Sequence, residues 1–283
     1  MKYPDLQIHV LVDKRAMPGY MPEHGLALYI EHGDSRILFD TGQGDALEPN
    51  VKAMSLDLSR TNAIVLSHGH YDHTGGLPYA IGQCPRAHIY AHPAVLSERY
   101  SIHDKSKPRD ISIPEPAIKA LHQCDAMRLS WIQEPCYIEA GLGLSGTIPR
   151  KDPVENVGGP FFQDRQGKVA DELPDDMAIW IERDGGVIII TGCCHSGLIN
   201  TIEAIRNACG RKKIKGIIGG LHLVNASEER LQHTLSALDA YQPEFVAACH
   251  CTGDPAIAAL AEKFGDRFMP VQAGLTIPAE ITA

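Results

Sequence analysis

The stretch that most constrains this chain is "AIVLSHGHYDHTGG", residues 63–76, where an apolar run opens into three histidines and an aspartate within six positions. The run reads as a buried strand, so His68, His70, Asp72 and His73 must emerge together at a sheet edge. His68 and His70 lie two apart, and in extended chain their rings project to the same side. Asp72 and His73 follow where the chain has to turn. Imidazole and carboxylate donors at this density suit one or two divalent transition-metal ions, zinc first, with iron, manganese or cobalt as alternatives. A histidine-rich surface loop is the blander reading, and four such residues directly behind a strand argue against it. The stretch closes neither coordination sphere, so further donors must come from elsewhere in the chain.

The pattern around it predicts an α+β protein. "QIHVLVD", "LALYIE" and "RILFDTG" are strand-like and follow one another with only loops between, which favours antiparallel pairing. The last hundred residues alternate: "MAIWIER" and "GVIIITG" read as strands and Leu198–Ala208 as a helix. "IKGIIGG" then reads as a strand, Glu228–Ala240 as a helix, "EFVAACH" as a strand and Ala256–Phe264 as a helix. Two mixed sheets packed face to face with helices outside, an αββα sandwich, account for this order. One domain over residues 1–283 is expected, with loop or lid insertions at about 100–120 and 149–176.

Charge and composition narrow the partners. The net charge of −9 and the lack of a long basic run exclude a nucleic-acid track; "RKKIK", Arg211–Lys215, reads as a solvated helix end. No apolar run is long enough to span a bilayer, and "MKYPDLQIHVLVD" has no signal-peptide core. Eight cysteines without framework spacing then point to reduced thiols and a cytoplasmic protein. A small-molecule substrate is expected, with no nucleic acid and no membrane, and a homo-oligomer is open.

Three later strand ends carry further candidates. His195 in "TGCCHSG" follows an apolar strand and precedes a helix, as an edge-loop ligand should. Cys193 is a thiolate ligand, a redox-sensitive neighbour in the substrate region or a small packing residue; Cys194 should face the other way. His222 in "GGLHL" follows two glycines that permit close backbone approach; it can complete the metal site, bind phosphate or act as general acid. In "HCTGDPA", Asp254 reads as a helix N-cap with Pro255 in the first turn. His9, His24, His32, His103, His122 and His233 have no supporting context, and His88 and His92 are set aside.

"SHGHYDHTGG" resembles the H-x-H-x-D-H motif of the metallo-β-lactamase superfamily of binuclear metal hydrolases, and "RILFDTG" resembles that fold's strand ending in Asp-Thr-Gly. The resemblance implies the αββα sandwich, with Asp40 supporting the metal-binding loop. It implies a late histidine at His250, and puts Cys193 where a bridging aspartate would stand. "LSGTIPR" occupies the region of the usual third histidine. "TGCCHSGLINT", "GGLHL" and "HCTG" together resemble the branch that includes the archaeal synthase family joining a dihydropterin-methyl diphosphate to a ribofuranosylaminobenzene phosphate. His68, His70 and His195 would then hold one ion, and Asp72, His73 and His250 the other. Asp72 would also orient the attacking water or take its proton. Arg150 and Glu155 are family-like loop residues that can contact substrate, with a plain exposed loop arginine as the duller reading. The expected activity is metal-dependent hydrolysis of a small phosphoester, diphosphate or ester. A pterin-type transferase on the same site is the alternative, and so is a metal or redox sensor without turnover.

Overall fold

Alternation of side chains across the strands sets the layers of this chain, seen here in a computed structural model that describes residues 4–277. Residues 1–3, which open the stretch read for an export signal, and residues 278–283, the end of the expected domain, lie outside the described residues. The N-terminal half runs through β1 (Leu6–Val12), β2 (Ala27–His32), β3 (Ser35–Phe39), α1 (Leu47–Ala53) and β4 (Ala63–Val65). It continues with α2 (Tyr71–Thr74), α3 (Leu77–Gln83), β5 (His88–Ala91), β6 (Tyr100–Ser101), β7 (Arg109–Asp110), α4 (Glu115–Gln123) and β8 (Leu129–Trp131). After β9 (Cys136–Glu139), β10 (Leu142–Leu144) and β11 (Phe161–Phe162) comes the β12 (Ala178–Arg183) and β13 (Gly186–Thr191) hairpin. The chain closes with α5 (Leu198–Ala208), β14 (Lys213–Gly220), α6 (Glu228–Tyr241), β15 (Phe245–Cys249), α7 (Asp254–Phe264), β16 (Phe268–Pro270) and β17 (Thr276–Ile277).

Two seven-stranded sheets result, β17-β1-β2-β3-β4-β5-β8 and β16-β15-β14-β13-β12-β10-β9. β1, β2 and β3 pair antiparallel, as their short connections require. β3, β4 and β5 run parallel, as do β13, β14 and β15. On β2, Leu28 and Ile30 face the second sheet while Ala27 and Tyr29 face the outer helices. On β13, Ile188 and Ile190 point between the sheets, and Val187 and Ile189 point to the helices. Strands buried on both faces need apolar residues at every position, which is why "GVIIIT" shows no alternation of polarity. Helices α1, α3 and α4 cover the first sheet and α5, α6 and α7 the second, giving the expected αββα sandwich.

The two insertions correct the loop expectation. β6, from residues 100–120, pairs with β7 and with β11, from residues 149–176, and the three make a small separate sheet. Residues 115–123 form helix α4, whose Ala117 and Leu121 pack on the first sheet. Two-residue strands are too short to show a period, and β11 pairs with β6 across about sixty residues. The second correction is at α7, where Gly253, at φ 81°, is the N-cap. Asp254 is instead the first helical residue, its carboxylate turned to Arg15 at 2.9 Å and Lys14 at 3.4 Å. In the "RKKIK" run, Arg211, Lys212 and Lys215 each meet a carboxylate, on Glu203, Glu182 and Glu244. No helix among the described residues is long and apolar enough to cross a membrane.

Candidate metal centre

Parallel strands deliver their C-terminal ends to one edge of the sandwich, and the candidate donors leave from four of them. His68, His70, Asp72 and His73 follow β4, Cys193 and His195 follow β13, His222 follows β14, and His250 follows β15. Their donor atoms fall into groups lying within 4.8 Å of one another: His68 with His70 and His195, and Asp72 with His73 and His250. Those are the two sets the sequence places around two ions. Three further groups of the same tightness, His68–His73–Cys193, Cys193–His195–His222 and Cys193–His250–Cys251, run across the space between them.

Hydrogen bonds behind the rings fix which nitrogen faces inward. Asp40 accepts from the Ser67 backbone N–H at 2.7 Å, from Ser67 Oγ at 2.6 Å and from His73 Nδ1 at 2.7 Å. Having given its proton to Asp40, Ser67 Oγ can only accept from His68 Nδ1, 2.9 Å away. Nε2 of His68 therefore presents a lone pair to the site, and Nε2 is the nitrogen that His73 turns inward. His195 Nδ1 donates to the Val157 carbonyl at 2.8 Å, leaving its Nε2 inward. The His250 backbone N–H donates to Asp13 Oδ1 at 2.8 Å; burial lifts the Asp13 carboxyl to about 6.

The rings approach one another nitrogen to nitrogen. His68 Nε2 lies 2.9 Å from His70 Nδ1, and His73 Nε2 lies 3.2 Å from His250 Nε2. Two nitrogens bound to one tetrahedral ion sit about 3.3 Å apart. His70 Nε2, His195 Nε2, His222 Nδ1 and His250 Nδ1 are buried with no hydrogen-bond partner. Burial pushes His68, His70, His195 and His250 well below the ordinary imidazole value, and neighbouring positive charge pushes the same way, so they stand as neutral lone-pair donors. For His73, burial also acts downward, but the Asp40 and Asp72 carboxylates overcome it and raise the ring to about 9. The donor set and its unpartnered nitrogens fit divalent transition-metal ions.

The centre opens on a cavity of about 360 Å³. Asp72 Oδ2 lies on its floor, 3.3 Å from His24 Nε2, 3.6 Å from His250 Nε2 and 3.7 Å from His73 Nε2. The small third sheet supplies one wall with Ser101, Arg109 and Phe161, and Lys14, Tyr71 and His222 line the rest. The Arg109 guanidinium stacks 5.0 Å over the Tyr71 ring. His222 packs 4.1 Å from the His195 ring, backed by Gly158, where a Cβ would fall 2.1 Å from the His222 ring. Asp40, Cys194, His222 and His250, at or beside the centre, have positive φ without being glycine, a backbone strain of about 1 kcal/mol or more each.

Arg150 and Glu155 do not line the cavity, and the substrate contact expected of them is corrected. Arg150 donates to the carbonyls of His195 at 2.6 Å and Glu172 at 2.5 Å, and so holds the His195 turn. Glu155 accepts from the N–H groups of Ile199 and Asn200, both at 2.8 Å, and so caps α5 directly after that turn. Cys193 faces His73 and His250, each Nε2 being 3.2 Å from its sulfur, and belongs with the donors. Cys194 turns away to Thr201. His24, set aside for want of context, and Arg109, which went unread, are each single in their local sequence, and only the fold brings them to the cavity, where Cys251 joins them.

An αββα sandwich with a dense donor cluster at the shared sheet edge defines a class of metal-centre proteins, and the similarities of the chain agree. The model of the metallo-β-lactamase superfamily matches residues 20–250, and the chain belongs to that superfamily. It is 33% identical over 259 residues to an uncharacterized protein of Methanocaldococcus jannaschii, covering 90% of this chain and 94% of that one. It is 28% identical to the 7,8-dihydropterin-6-methyl-4-(beta-D-ribofuranosyl)-aminobenzene-5'-phosphate synthase of the same organism, over 98% of this chain and 97% of the synthase. Among solved structures it resembles Tm1679, a metal-dependent hydrolase of the β-lactamase superfamily, with a TM-score of 0.82, 28% identity and coverage of 96% and 98%.

Proposed function

We propose that this chain is a metal-dependent hydrolase that directs water onto a small phosphoester, diphosphate or related ester. The observation that carries the reading is Asp72. Its Oδ2 lines the cavity among His24, His73 and His250. Hydrolysis needs a group to orient water and take its proton, and a carboxylate that holds an ion through one oxygen keeps the other for that work. His68, His70 and His195 would hold one ion, and Asp72, His73 and His250 a second. Zinc suits the nitrogen-rich set first, with iron, manganese and cobalt as alternatives. When bound, such ions supply a water of lowered pKa and polarise a phosphoryl or carbonyl oxygen.

The chain's own residues do the rest. Asp72 takes the proton of the attacking water. His222, which lines the cavity and has its Nδ1 unpartnered, can give a proton to the leaving oxygen. Lys14 and Arg109 at the rim favour an anionic group on the substrate, in a protein that is otherwise acidic. A panel of phosphodiesters and diphosphates assayed with zinc, manganese, iron and cobalt tests the reading. Asp72→Ala should lower kcat about 10²-fold or more while the fold persists; full turnover in that variant overturns the mechanism.

A second reading is transfer, favoured by the near full-length similarity to the pterin synthase. The same residues would promote departure of diphosphate while an amine or arene attacks in place of water. Coupled product from a dihydropterin diphosphate and an aryl-amine acceptor, with no hydrolysis of the panel, would replace the first reading by the second.

A further inference from the structure

We propose that the small third sheet selects a substrate with two separate anionic groups, one at the imidazole sets and one on Arg109. The proposal rests on the hydrolase reading above and deepens it, from an anionic ester to one that carries a second carboxylate or phosphate at a distance. Phe161 is the cross-strand partner of Ser101, and Ser101 is that of Arg109. Direct partners point to the same face of a sheet, so the three form one row across β11, β6 and β7. All three line the cavity.

The row has two unlike ends. At one, the Phe161 ring lies 5.4 Å from the His70 ring, 5.3 Å from that of His195 and 5.9 Å from that of His222, centroid to centroid. It is packed against the donors. At the other end, the Arg109 guanidinium stacks over the Tyr71 ring and also donates to the Tyr71 hydroxyl. The Tyr71 N–H donates to the Ile111 carbonyl at 3.1 Å, which ties the end of β7 to α2. Two strand spacings separate the strands that carry Phe161 and Arg109, about 10 Å in all. A group met by Arg109 is therefore not the group that reacts.

Arg109 is also the rim cation without a carboxylate. No ion pair with it is present among the described residues. Lys14, by contrast, lies 3.4 Å from Asp254. A guanidinium has five N–H donors, and Tyr71 takes one of them. Stacking holds the plane still, so a pair of donors stays available for two oxygens of one anion. Between the two ends, Ser101 offers a hydroxyl to the body of the substrate.

Calorimetry on the zinc-loaded protein tests this without turnover. The probes are three series of rising length: plain alkylphosphonates, ω-carboxyalkylphosphonates and alkane-α,ω-bisphosphonates. In the wild type, a second charge should tighten binding about 10- to 100-fold over the plain phosphonate of equal length. The gain should be largest at a span of about 10 Å. Either second charge supports the subsite, and the larger gain says whether it takes a carboxylate or a phosphate. Arg109→Ala and Arg109→Gln should each reduce the gain to about twofold or less, which is what screened long-range attraction leaves. A second charge that gains nothing at any length, or a gain that survives in both variants, overturns the subsite and leaves the hydrolase reading standing. Zinc-loaded wild type that binds none of the three series removes the hydrolase reading and the proposal together.

Discussion

Asp40 shows how much of this centre is decided by residues that touch no substrate. Its carboxylate accepts three hydrogen bonds, two from Ser67 and one from His73, and through Ser67 it also sets the tautomer of His68. Asp40→Ala should lower metal affinity about 10- to 100-fold, measured by competition with a chromophoric chelator; unchanged affinity would mean that the rings are held by packing alone. Asp40 was legible because it ends the strand motif "RILFDTG", and the His68–His73 cluster because its four donors are contiguous. His24 was not: a single histidine between Glu23 and Gly25 has no periodicity, and only the tertiary fold sets it 3.3 Å from Asp72. Arg150 and Glu155 misled for the converse reason, since a charged loop residue looks alike whether it meets a ligand or a helix end.

At the level of elements, the two insertions gain their meaning from each other. β6 and β11 pair across about sixty residues and carry Ser101 and Phe161 to the cavity wall. Beneath them lies Arg99, fully buried, with Asp175 at 2.6 Å and 2.8 Å and Asp171 at 2.9 Å. Asp175 also accepts from the Gly69 N–H at 2.8 Å, between His68 and His70, so the insertion is tied to the metal loop through one carboxylate. Asp175→Ala leaves the buried guanidinium to Asp171 alone and the Gly69 N–H without its acceptor, and should cost about 3 kcal/mol in urea unfolding. Combining it with Arg99→Met and Asp171→Asn, which removes every charge of the buried cluster, should restore much of that loss. A cost below about 1 kcal/mol for the single variant would mean that water reaches Arg99. None of this was visible in the sequence, where residues 100–120 and 149–176 offer proline, charge and no period. The helices and long strands of the second half were visible, because apolar periodicity and glycine punctuation act locally there.

Across the whole molecule, the centre lies on the seam between the two sheets. His68, His70, Asp72 and His73 come from the first sheet, and Cys193, His195, His222 and His250 from the second. The interface behind them is apolar, with Leu28, Ile30 and Phe39 facing Ile188, Ile190 and Ile218, and Ile190→Ala there should cost about 2–5 kcal/mol. At the edge the contact changes character: buried imidazoles meet across the seam without partners for several of their nitrogens. An ion bound there joins donors of both sheets, so it binds the folded state and has no comparable site in the unfolded chain. At a free concentration about 1,000 times its dissociation constant, it adds about 4 kcal/mol. For a chain of this size that is a rise of about 8 °C in Tm. Thermal unfolding of the metal-loaded protein, before and after exhaustive chelation, should show that difference. His70→Ala should abolish most of it, because the variant unfolds at nearly the same temperature with and without metal. An equal Tm for loaded and chelated wild type, with metal content verified, would place any bound ion away from the seam.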